Sequence, residues 1–156
     1  MNKAQLVVET LISKGLKIAT AESCTGGLLA ERITSISGAS KCFEMGVITY
    51  SNESKVKILG VSEENLAKYG AVSKRVAREM AIGIKRLSKA DIAVSITGIA
   101  GPNGGTEDKP IGLVYVGICD EAFELRLFGD RENIRNKTID FILDKVYNIV
   151  IGGYHD

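Results

Sequence analysis

The order of segments in this chain predicts an α/β fold whose mixed sheet is covered by helices. Three observations carry that expectation. From residue 2 to residue 96, amphipathic segments with helical spacing alternate with short β-rich runs. Two further β-rich runs then meet around Asp120-Glu121, as in a meander. A long amphipathic stretch closes the chain. The predicted order is αβαβαααβββα, and its final meander argues against an all-parallel, doubly wound sheet.

Each element has its own signal. Asn2 to Lys14 sets Leu6, Val7, Leu11 and Ile12 near one helical face, and Gly15 stands where a helix stops. Leu16 to Ala19 reads as a short buried strand leading into a turn of small residues. A helix from about Thr25 to Ile36 carries Leu28, Leu29, Ile33 and Ile36 on one stripe. Cys42 to Tyr50, with Val47, Ile48, Thr49 and Tyr50, is β-rich and reads as a strand. Asn52 to Leu59 is a short helix ended by Gly60. Ser62 opens another, with Glu63 and Glu64 in the first turn, where the helix dipole favours acids, and Gly70 stops it. Ser73 opens a longer helix on which Val76, Met80, Ile84 and Leu87 recur at helical spacing. Ile92 to Ile96 is a buried strand, followed by a Gly-rich loop from Thr97 to Pro110. Ile111 to Cys119 and Ala122 to Phe128 pair as strands. Gly129 and Asp130 precede the last helix, which carries Ile134, Ile139, Ile142, Val146 and Ile149.

Composition narrows the function classes. The 156 residues suit one domain spanning 1–156, without repeats, low-complexity runs or an interdomain linker. With 20 basic and 19 acidic residues, the net charge of +1 supplies no bulk field for nucleic acid or membrane. Aromatics are few and Trp is absent, which weakens any base-stacking platform. No apolar run is long enough to span a bilayer, and no signal peptide is evident. Cys24, Cys42 and Cys119 are odd in number and lack C-x-x-C spacing, so a disulfide framework is not expected and a cytoplasmic location is. His155 is the sole histidine; it reads as part of a terminal tail rather than a catalytic base, and no metal site is expected.

The chemistry concentrates in four segments. Residues 20–27 read Thr-Ala-Glu-Ser-Cys-Thr-Gly-Gly, a turn that places the Ser23 hydroxyl near helix-start N–H groups. Such donors attract phosphate and can stabilise an oxyanion, although Ser23 or Thr25 would also serve simply as a cap. A serine needs a base, and with no usable histidine the choices are a lysine, a tyrosine or a carboxylate. Tyr50 to Lys55 supplies the first two at a strand end. Lys55 can act as a base only if burial or nearby positive charge lowers its pKa; its plainer reading is a solvated lysine like Lys57. Tyr50 reads equally as a core aromatic with a wet hydroxyl. The segment 97–106 offers Thr97, Gly98, Gly101, Asn103, Gly104 and Gly105 as a ligand cradle or as an ordinary loop; it is not a P-loop. Arg131 and Arg135, one turn apart, can hold a phosphate or form a solvated basic edge.

Taken together, Thr-Ala-Glu-Ser-Cys-Thr-Gly-Gly, Gly46 to Lys55, Gly70-Ala-Val-Ser73 and Ser95 to Gly105 closely resemble the CinA C-terminal domain family, over about residues 4–150. The resemblance implies a three-layer α/β/α sandwich. It further implies hydrolysis of nicotinamide mononucleotide to nicotinic acid mononucleotide and ammonia, in pyridine nucleotide recycling and without a cofactor. It implies a Ser-Lys acyl-transfer mechanism on Ser23 and Lys55, assisted by Tyr50. The phosphate is expected against Thr25, Gly26 and Gly27 or against the 98–105 loop, and Glu22 is expected to orient the turn rather than bind ligand. A homodimer is expected, as in related domains. The alternative is a non-catalytic nucleotide-binding or regulatory domain, since some relatives carry this domain fused to a larger one. The Met1 start shortly before the first helix favours a standalone enzyme, and the joint presence of Ser23, Tyr50 and Lys55 favours catalysis.

Overall fold

The computed structural model describes residues 2–153, so His155 and Tyr154 lie outside the described residues. Twelve residues, Lys3–Lys14, form α1; Asn2 accepts from the Gln5 N–H at its start, and Gly15 ends it at φ 67°. Leu16 belongs to that ending, because its N–H is bonded to the Leu11 carbonyl at 3.0 Å. The first strand therefore begins later than its apolar run suggested: β1 is Ile18–Glu22. After α2 (Leu28–Thr34) and a single 3-10 turn at Ala39–Lys41 comes β2 (Phe43–Ile48). Three helices follow, α3 (Asn52–Leu59), α4 (Glu63–Tyr69) and α5 (Lys74–Ser88). The chain then forms β3 (Ile92–Gly98), β4 (Leu113–Ile118), β5 (Glu121–Arg126) and α6 (Arg131–Ile151).

The sheet order is β2-β1-β3-β4-β5. β1 pairs in parallel with β2 and β3, while β4 runs antiparallel to both β3 and β5. The sheet is thus mixed, as expected, and β1 is its central parallel strand. The hairpin turns one residue earlier than Asp120-Glu121: Cys119 takes the left-handed conformation (φ 56°) and Glu121 already pairs with Ile118.

Alternation along the strands sorts two cores. Ile18, Ile92, Val94 and Ile96 pack with Val8, Leu11, Leu29, Ile33, Ile142 and Val146 from α1, α2 and α6. Ala19, Ala21 and Ala93 face the other way, against Val76, Met80 and Ile84 of α5. These small strand residues let α5 lie close to the sheet. Leu87, expected on the apolar stripe of α5, is 45% exposed. Gly83 of α5 seats the end of α3, since a Cβ there would collide with the Leu59 carbonyl oxygen. That contact fixes the helix bearing Lys55. Among the described residues, no helix is long and apolar enough to cross a membrane.

Candidate active site

The carboxyl ends of the three parallel strands lie side by side at one sheet edge, the usual position for ligand crevices in α/β folds. Ser23 follows directly on β1, and its N–H donates to the Ile96 carbonyl of β3 at 3.0 Å. Thr49 follows β2 and donates its N–H to the Glu22 carbonyl at 2.9 Å. Lys55 reaches the same point from the first turns of α3. Its Nζ lies 3.1 Å from Ser23 Oγ, 2.8 Å from the Thr49 carbonyl oxygen and 3.2 Å from that of Tyr50.

Lys55 is 1% exposed and Ser23 8%. Burial lowers the Lys55 pKa from its ordinary value, opposed in part by the Cys24 thiol as a nearby potential anion. A neutral lysine amine has two N–H donors and one lone pair. In the structure Nζ donates to Ser23 Oγ and to both carbonyls. In the neutral amine the two N–H groups stay on the Thr49 and Tyr50 carbonyls and the lone pair turns to the Ser23 O–H. Cys24, next in sequence, is buried and its thiol is pushed up to about 11, first by desolvation, so it remains protonated at neutral pH.

The segment after Ser23 is not yet helix. Gly26 (φ 58°) and Gly27 (φ 103°) are both left-handed, and α2 starts only at Leu28 rather than near Thr25. Five helices carry a capping side chain at their own N-caps: Asn2, Ser51, Ser62, Ser73 and Asp130. Gly27 offers none, and Glu22 takes over the role from across the turn. Its buried carboxylate accepts from Thr25 Oγ1 at 2.6 Å, Leu29 N–H at 2.9 Å and Ala30 N–H at 3.0 Å. The helix-start donors expected to be open beside Ser23 are therefore filled by an internal anion, and the Thr25 hydroxyl is turned inward. Glu22 does orient the turn.

The remaining predicted residues divide. Arg131 Nη1 donates to the Gly101 carbonyl at 2.7 Å, and its Nη2 to the Tyr50 hydroxyl at 3.3 Å. Arg131 thus bridges Tyr50, just after β2, and the Gly-rich loop. Arg135 Nη2 donates to the Thr25 carbonyl at 2.8 Å. Tyr50 joins Lys55 through its backbone oxygen, while the residue as a whole is 61% exposed. Thr97 is buried and donates to the Ala71 carbonyl at 2.9 Å, tying the Gly70–Ser73 segment to the same edge. Gly98, Gly101 and Gly105 sit where a Cβ would strike Val114 or Ile111, so packing accounts for them. Asn103 and Gly104 are exposed on the loop. The sequence reading did not include the Thr49 carbonyl; its only signal was its place between β2 and Tyr50. No cluster of metal-ligating side chains occurs among the described residues, and Cys24, Cys42 and Cys119 are free thiols.

Residues 1–150 match the CinA C-terminal domain. The chain belongs to that family. It is 53% identical over 151 residues to a protein of Caldicellulosiruptor saccharolyticus named for competence-damage induction, covering 94% of this chain and 37% of that protein. A CinA-like protein of Kosmotoga olearia is 53% identical over 146 residues, covering 91% of this chain and 35% of its own length. The chain thus spans about a third of the length of the curated relatives it matches. A CinA superfamily protein of Klebsiella pneumoniae superposes with a TM-score of 0.91 at 34% identity, over 98% of this chain and 100% of that one. The α/β fold with its mixed sheet is the fold of that superfamily.

Proposed function

We propose that this domain hydrolyses the carboxamide of nicotinamide mononucleotide, releasing ammonia and nicotinic acid mononucleotide. The observation that carries the reading is the buried Lys55 amine 3.1 Å from Ser23 Oγ, with two carbonyls holding its N–H groups. Membership in a family with amidase members supports it further.

Ser23 donates its proton to Lys55 as Oγ attacks the carboxamide carbon. The oxyanion is met by backbone N–H groups of the turn after Ser23. The Lys55 ammonium then returns its proton to the departing nitrogen, and ammonia leaves an acyl-Ser23 ester. Water, deprotonated by Lys55, attacks that ester; the carboxylic acid departs and Ser23 recovers its hydrogen. Lys55 acts directly, so no relay through the Tyr50 hydroxyl is required. Because Glu22 already fills the α2 start, the nucleotide phosphate is better placed at Arg131 and the 98–105 loop than at Thr25, Gly26 and Gly27.

The test is ammonia release from nicotinamide mononucleotide by the purified chain, beside Ser23→Ala. Wild-type release and its loss in a folded Ser23→Ala protein are expected. No release by wild type sinks the amidase and favours a nucleotide-binding domain.

A further inference from the structure

Arg135 is a partly buried guanidinium bonded to the backbone of the turn that follows Ser23. Its Nη2 is bonded to the Thr25 carbonyl, and its Nε is buried with no hydrogen-bond acceptor. An unsatisfied guanidinium N–H is costly, so packing alone explains this arginine poorly.

The bonds leading away from it form a line. The Thr25 carbonyl that accepts from Arg135, and also from the Leu28 N–H at 3.0 Å, belongs to the Thr25–Gly26 peptide. The N–H of that same peptide donates to the Ser23 carbonyl at 3.0 Å. The Ser23 carbonyl belongs in turn to the peptide whose N–H is that of Cys24. No acceptor in another residue engages the Cys24 N–H among the described residues. In serine acyl-transfer sites on strand-to-helix turns, the N–H of the residue after the nucleophile is an oxyanion donor.

We infer that Arg135 is a positioning residue that polarises and orients the Cys24 N–H as an oxyanion donor, acting through two stacked peptide groups. Hydrogen bonds in series strengthen one another, because each bonded carbonyl makes its own peptide N–H a better donor. A fixed positive charge at the head of the series biases both dipoles toward a negative charge at the far end. The charges of Arg135 and, after it, Arg131 both oppose the rise of the Cys24 thiol, which burial causes. This role rests on the amidase reading above. It separates Arg135, bonded to the turn, from Arg131, bonded to the Gly101 carbonyl and the Tyr50 hydroxyl.

The experiment compares wild type with Arg135→Met and Arg135→Lys on nicotinamide mononucleotide and on its riboside, with thermal unfolding of each protein. Arg135→Met is expected to lower kcat about tenfold on both substrates with KM little moved, less than the 10²–10³ of losing a whole oxyanion donor. Arg135→Lys, which keeps the charge and one donor, is expected to recover part of that loss. A raised KM for the mononucleotide with the riboside unchanged would make Arg135 a phosphate ligand and overturn the inference. The amide proton resonances of Cys24 and Gly26 in ¹⁵N-labelled Arg135→Lys and Arg135→Met give a readout independent of turnover. Both should shift upfield with loss of polarisation; an unmoved Cys24 resonance in folded variants overturns the relay. Wild type that releases no ammonia overturns the amidase reading, while the resonances still decide whether the relay exists.

Discussion

Lys55 and Lys57 are two residues apart on one short helix, and they inhabit different chemistry. Lys55 is 1% exposed, points to the ends of β1 and β2 and is encircled by Ser23 and two carbonyls. Lys57 is exposed on the far side of α3 and lines a surface depression of about 370 Å³ with Glu53 and Glu63. The helical repeat sets the difference, since residues two apart lie on opposed faces. Position on the helix supplies burial, and burial turns a solvated cation into a candidate base. The helix itself is aimed by its Ser51 cap, which accepts from the Ser54 N–H, and by its seat on Gly83.

The strongest way to break this comparison is to exchange the two lysines' fates. Lys55→Met and Lys55→Arg should each lower kcat by about 10³-fold or more, within the range where a missing base and an unactivated serine combine. Arginine fails with methionine because a guanidinium stays protonated. Lys57→Met should leave ammonia release and unfolding temperature nearly unchanged, as surface substitutions generally do. Steady-state ammonia release on the three proteins decides it; a Lys55→Arg enzyme at wild-type rate would remove Lys55 as base.

The next test uses pH. Only the neutral amine accepts the Ser23 proton, so kcat/KM should fall about tenfold per pH unit once pH drops below the Lys55 pKa. That pKa lies under the ordinary 10.5 because of burial. Between the folded and unfolded pKa values the native state binds fewer protons than the unfolded chain, so unfolding free energy rises with pH there. Below the folded pKa the full penalty of a buried ammonium is present. Unfolding followed across that window should show the rise in wild type and lose it in Lys55→Met, while Lys57→Met keeps it.

The same two lysines show what the sequence made legible. Segment order followed from periodicity, because strands and helices each bury one face. All eleven principal segments occur in the predicted order, though β1 spans Ile18–Glu22 and takes in Thr20 to Glu22, which were expected in the turn. Boundaries slipped where a turn intervened: Gly26 and Gly27 delay α2, and the Leu16 N–H bond closes α1 before β1 starts. Ser23 and Lys55 were readable as a pair only through their motifs, because nothing local distinguishes Lys55 from Lys57. The capping role of Glu22 was hidden for another reason. A carboxylate that serves the N–H groups of residues 29 and 30 is visible only once the Gly-Gly turn has folded it back. The bonds from Arg131 and Arg135 span 81 and 110 positions to Tyr50 and Thr25, distances at which sequence pattern carries no pairing information.

Gly83 offers a subtler perturbation, one that moves Lys55 without altering it. A methyl group at this position meets the Leu59 carbonyl, so Gly83→Ala must displace the end of α3. Overpacking of this kind costs about 1–3 kcal/mol. A helix shift near 1 Å at its far end is expected to reduce kcat by about tenfold or somewhat more, given the sensitivity of reacting groups to misplacement. Thermal unfolding and ammonia release on one preparation test both parts. Full activity at reduced stability would mean that the α3 start, held by Ser51, is positioned independently of its end.

Tyr50 should give the smallest effect, because its useful atom is one that side-chain substitution leaves in place. Its carbonyl holds Lys55 at 3.2 Å, whereas its hydroxyl accepts from the exposed Arg131 at 3.3 Å. A long, solvated bond of that kind contributes little. Tyr50→Phe keeps the carbonyl, the ring and the strand end, and should change kcat by about twofold or less, with any larger change confined to KM through a freed Arg131. A proton relay through the phenol predicts the opposite, a kcat loss of about 10²–10⁴-fold, as for removal of a general acid or base. The two outcomes differ by at least an order of magnitude, so a single pair of kcat values distinguishes them. A large loss would place the working proton path on the exposed side of the site and reduce the buried Lys55 amine to a partner rather than the sole base.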